Sequence, residues 1–61
     1  MFKVGGYAVL LKEKVIKIID EIENISGEII IYMTDGSSYH INQLTTLHKA
    51  VEIETLHEKT N

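Results

Sequence analysis

Few residues in this chain can carry chemistry. On a helix, His48 and Glu52 would meet on one face, and His57 with Glu54 or Glu58 could complete a metal site. No recognised metal-ligand spacing is matched, so exposed histidines on a polar C-terminal segment are expected, with neither metal nor cofactor. Asp35, Ser37, Ser38 and His40 are the residue types of a hydrolytic triad. Crowded into one tight turn, they cannot converge as nucleophile, base and orienter, and no Gly-x-Ser-x-Gly elbow supports them. Asp and Ser are also what a turn needs for its local backbone hydrogen bonds. Gly5-Gly6 lacks the spacing of a phosphate loop and the lysine-serine or lysine-threonine pair that follows it there. No catalytic residue is expected, and the chain reads as a non-enzyme.

Binding residues are better represented. Tyr7, Tyr32 and Tyr39 are candidate anchors for a partner protein, since tyrosine joins apolar area to a polar tip. Tyr32 and Tyr39 fall on partner strands of a hairpin, and sequence alone leaves the register that decides their faces open. Ile29-Ile30-Ile31 places isoleucine on both faces of a strand, so at least one needs a cover from outside the fold. Ile29 and Ile31 therefore join the tyrosines as expected protein-binding residues, and a homodimer or strand-mediated complex is expected. Lys3, Lys12, Lys14 and Lys17 are the alternative site, a cluster for nucleic acid.

Charge opposes that alternative. The 61 residues carry six lysines, no arginine and nine acids, for a net charge of −3. The segment from Met1 to Gly27 is neutral, with four lysines against four acids, so the −3 lies in the remainder. Phosphate and guanine recognition draw on bidentate arginine and a basic footprint, and nucleic acid is disfavoured as a partner. The absence of cysteine excludes disulfides, a thiolate zinc site and a thiol nucleophile. No stretch approaches the ~20 apolar residues of a membrane span, and no signal-peptide pattern opens the chain, so a cytoplasmic place is expected. Ten isoleucines beside lysine-only basicity are the composition of an AT-rich genome.

The elements that would hold these residues are short. A chain of this size has a core contributing roughly 3–5 kcal/mol of net stability. Glu28 to Thr34 is rich in β-branched and aromatic residues, Asp35-Gly36 signals a tight turn, and Ser38 to Ile41 returns as the second strand of a hairpin. Leu11 to Ile25 is ambiguous, because Leu11, Val15, Ile18, Ile22 and Ile25 recur at helical spacing. Against a helix, the lysines lie at its would-be N-terminal end and the acids at its C-terminal end, no capping residue starts it, and Val and Ile dominate. An extended, strongly bent strand is expected, with Ile16, Ile18 and Ile22 on one face and Lys17, Ile19, Glu21 and Glu23 on the other. Phe2, Val4 and Tyr7 to Leu11 form a first strand kinked at Gly5-Gly6, and Asn42-Gln43-Leu44 a short turn. Val51, Ile53 and Thr55 alternate with Glu52 and Glu54 as a last strand.

Five short antiparallel strands of this length bury their apolar residues best by curling together, so the expected fold is mainly β, a small five-stranded antiparallel barrel over residues 1–61 as one small domain. The alternative is α+β, with a helix at 11 to 25, the hairpin, and a helix from Gln43 to Leu56 seeded by Leu44, Leu47 and Val51.

The run Phe2-Lys3-Val4-Gly5-Gly6-Tyr7-Ala8-Val9, then Val15-Ile16-Lys17-Ile18 with Ile22, the Asp35-Gly36 hairpin with Tyr39, and Leu44 resembles Tudor-like and SH3-like barrels. It is most similar to the RNA-polymerase-interacting domain of CarD-type regulators and transcription-repair coupling factors. The resemblance implies a scaffold that binds proteins through a sheet edge or loops, with RNA polymerase as a partner by analogy. The expected function that the resemblance implies is a protein-interaction module of this kind, transcription-associated or an accessory regulator of bacteria or their phages. The alternative is a nucleic-acid-associated regulator using the four lysines.

Overall fold

A computed structural model describes residues 1–59, with side chains described through residue 53. The chain is mainly β. Strands β1 (Tyr7–Leu10), β2 (Ile16–Ile25), β3 (Glu28–Met33) and β4 (Ser38–His40) follow in order. A 3-10 turn (Ile41–Gln43) then leads into β5 (Leu44–Thr45) and helix α1 (Leu47–Lys59). The five strands form one antiparallel sheet in the order β4-β3-β2-β1-β5.

Residues 16 to 25 are extended, as their branching and charge polarity require. β2 pairs with β1 through Ile16 to Ile18 and with β3 from Ile19 onward, and its register shifts between Ile19 and Glu21. The extra residue is Asp20, a bulge that bends the strand and reverses which face each later side chain takes. Strict alternation puts Ile22 with Ile16 and Ile18. The bulge instead sets Ile22 opposite Ile31, on the core side with Ile19.

The hairpin of β3 and β4 matches its sequence signal. Its loop closes with the Met33 N–H on the Ser37 carbonyl and the Gly36 N–H on the Met33 carbonyl. Gly36 sits at φ 91, the left-handed residue of a three-residue hairpin loop. The first strand is shorter than expected. Lys3 to Gly6 turns, with the Gly6 N–H on the Lys3 carbonyl, so Phe2 and Val4 stand outside β1. Phe2 packs against the core edge instead.

Two expectations need correction. Val51, Ile53 and Thr55 belong to α1, not to a final strand. Thr46 caps that helix, its Oγ1 accepting the Lys49 N–H at 3.1 Å and its carbonyl the Ala50 N–H at 3.0 Å. A cap followed by Leu47, Ala50 and Val51 at helical spacing outweighs the local alternation. The fifth strand is Leu44–Thr45, paired to Val9 and Leu10. The sheet is also not closed into a barrel: among the described residues β4 and β5 occupy opposite edges, joined only through the 3-10 turn.

The core lies on one face and consists of Ala8, Leu10, Ile19, Ile31, Met33 and Leu44, flanked by Phe2, Ile29, Tyr39 and Ile41. Val9 points the other way and is buried beside α1, in a groove of about 360 Å³ whose walls include Ile16, Leu47, Ala50 and Val51.

Candidate binding surfaces

Register sorts the tyrosines. Tyr39 lies opposite Ile31 and Tyr32 opposite Ser38, so the two rings project from opposite faces of the sheet. Tyr39 leans on the core, and Lys17 Nζ stands 5.3 Å from its ring centroid, within cation–π range. Tyr32 sits on the outer face and donates its hydroxyl to Glu23 Oε1 at 2.8 Å, which raises its phenol above the ordinary value. Tyr7, opposite Ile18, is also on the outer face. The three therefore do not make one aromatic patch.

Of the isoleucines, Ile31 is 0% exposed and belongs to the core, so its side chain is not available to a partner and the expectation of a contact there is corrected. Strand alternation places Ile29 beside it on the same face, half-buried against the same cluster. The surplus apolar area lies elsewhere. Tyr7 is 55%, Ile16 54%, Ile18 43% and Val51 57% exposed. Pairings Tyr7–Ile18 and Val9–Ile16 put the strand members on one outer face, and α1 stands along it through Leu47 and Val51. Their only sequence signal is a pair of isoleucines two apart, the same signal a core face gives.

The lysines do not form one cluster. Lys3 precedes β1, while Lys12 and Lys14 lie in the loop after it, and four strand residues span ~13 Å. Lys17 shares the core side with Ala8 and reaches the β3–β4 loop. There its Nζ meets Asp35 Oδ2 at 2.7 Å and Ser37 Oγ at 3.1 Å. The Asp35 bond holds the Lys17 ammonium above its usual value, and Lys17 with Ser37 holds the Asp35 carboxyl well below the carboxylate range. A lysine so engaged offers little to a phosphate.

Asp35, Ser37 and His40 are equally committed. Ser37 donates its hydroxyl and its backbone N–H to Asp35 Oδ1. His40 turns away: its Nε2 contacts Glu28 Oε2 at 2.7 Å, and its Nδ1 accepts the Asn42 N–H at 3.2 Å. Its backbone N–H donates to Gln43 Oε1, completing a capping box on the 3-10 turn. His40 thus supports the turn that delivers Leu44 to the core. His48 Nε2 stands 3.8 Å from Glu52 Oε2 on α1. Among the described residues no group of three metal-ligating side chains converges, and Glu54, His57 and Glu58 lie outside the described side chains. No described helix is long and apolar enough to cross a membrane.

Comparison with protein-family models, with curated proteins and with solved structures finds no match to this chain.

Proposed function

We infer that the chain is a non-enzymatic protein-interaction module that pairs with a second copy of itself through its outer face. The observation that carries this is the exposure of Tyr7, Ile16, Ile18 and Val51 together on one side of a fold whose core cluster, among the described residues, is six buried side chains. Contiguous apolar surface of this kind is stabilised by a partner. A second copy offers a self-complementary apolar patch and adds burial to a marginal core. The resemblance to CarD-type barrels makes transcription machinery a further partner to test. The nucleic-acid alternative loses support from the engagement of Lys17 by Asp35 and the separation of Lys3 from Lys12.

Sedimentation equilibrium at high micromolar concentration tests the reading. A dimer mass is expected, and Ile16→Asp, which sets a carboxylate in the middle of the face, is expected to return a folded monomer that keeps its strand amide dispersion, with shifts changed only along that face. A monomer mass for the unaltered chain would overturn self-association.

A further inference from the structure

The second half of β2 is a sheet edge. Every residue from Asp20 to Ile25 is exposed, although six consecutive strand residues paired on both sides would be at least partly covered. β3 pairs with one side. On the other side the last contacts come from Gly5 and Gly6 to Ile19, after which the Lys3–Gly6 turn carries the chain away. Among the described residues no strand continues the ladder there.

The free groups can be identified. Ser26 and Gly27, at φ 53 and 86, make a two-residue type I′ turn, which makes Ile25 and Glu28 a hydrogen-bonded pair. Alternation then turns Glu23 and Glu21 toward β3 and leaves the N–H and C=O of Ile22 and Asn24 facing the open side. The Asp20 bulge fits this parity, because Ile19 already faces that side. Residues 18 to 33 contain Asp20, Glu21, Glu23 and Glu28 and no lysine. Glu21 and Glu23 project from the outer face and Ile22 from the core face.

We propose that this edge accepts an extended segment of a partner protein that carries lysine or arginine at alternate positions with β-branched residues between them. Backbone pairing at Ile22 and Asn24 supplies the ladder, the cations lie opposite Glu21 and Glu23, and the intervening apolar side chain lies opposite Ile22. A second copy of β2 does not fit, since it would set like charges against one another along the ladder. The proposal rests on the interaction-module reading but not on self-association, which uses the outer face of β1 and the start of β2, so the two fail separately.

The test is titration of the ¹⁵N-labelled full chain with a short peptide of alternating lysine and valine, beside a glutamate–valine peptide and a lysine–valine peptide N-methylated on its pairing edge. Expected are saturable amide shifts centred on Ile22 and Asn24 with slowed hydrogen exchange there, and none from the two control peptides. Replacing both Glu21 and Glu23 by lysine should weaken binding by about tenfold, as two attractive cross-strand pairs become repulsive. Absence of saturable shifts, shifts confined to Tyr7 and Ile16, or equal binding of the N-methylated peptide would each overturn the edge. The methylated peptide acts on unaltered protein, so a poorly folded variant does not blunt the result.

Discussion

Lys17 Nζ meets Asp35 Oδ2 at 2.7 Å, fastening the start of β2 to the tip of the β3–β4 hairpin across 18 residues of sequence. Asp35 also accepts from Ser37, so one carboxylate organises both the loop and its anchor. Because its folded pKa is depressed, the pair's contribution is complete above the ordinary carboxyl value of 3.8 and is lost as pH falls below it toward the folded value. Asp35→Asn keeps the loop acceptor and removes the charge. It is expected to lower Tm at neutral pH, and the gap from the native chain should close as the medium is acidified. Thermal melts of both proteins across the acid range check this; a constant gap would show that the charge is not what matters.

Ile31 carries a disproportionate share of the stability. It is 0% exposed at the centre of the core, between Ile22 on β2 and Tyr39 on β4. Ile31→Val should cost about 0.5–1.5 kcal/mol and Ile31→Ala about 2–5 kcal/mol. The larger loss matches the whole ~3–5 kcal/mol expected of so small a core, so the alanine chain should be largely unfolded. Ile22→Ala, on the exposed arm, should shift the urea midpoint far less. Urea denaturation of the three variants ranks them.

Much of this arrangement was legible in the residues. Branched side chains and reversed charge polarity identified β2 against its helical periodicity, and Asp35-Gly36 identified the hairpin. The faces were not legible, because one bulged residue, Asp20, exchanges inside and outside for everything after it. That single shift is why Ile22 was placed on the wrong side. The hairpin register, which sets Ile31 opposite Tyr39, separately divides the tyrosines. The C-terminal segment misled for a different reason. Val51-Glu52-Ile53-Glu54-Thr55 alternates like a strand, whereas what decides it is Thr46, five residues upstream, capping a helix that leans on β1.

That cap gives a separable prediction. Thr46→Ala removes the acceptor for the Lys49 N–H and should cost about 0.5–2 kcal/mol. A 13-residue helix is marginal without support, so the loss should fall on α1 first. Circular dichroism is expected to lose helical signal while the strand amides of β2 and β3 keep their dispersion. Loss of both together would mean that α1 and the sheet fold as one cooperative unit.

The β2–β3 turn can be improved. Ser26 occupies the left-handed region at φ 53, where an L side chain is strained, and the Gly27 N–H is already held by Asn24 Oδ1 at 2.9 Å. Asn-Gly is the preferred pair for a type I′ turn, so Ser26→Asn should stabilise the chain by about 0.5–1 kcal/mol. Gly27→Ala has open space for its methyl, since nothing lies within 4 Å of an added Cβ, yet it must hold φ 86. Its expected cost of about 1–2 kcal/mol is therefore purely conformational. Opposite shifts of the two urea midpoints, with unchanged slopes, are the expected result. A neutral Gly27→Ala would show that the turn relaxes to another type, and the pairing of Ile22 and Asn24 with the open edge would move with it.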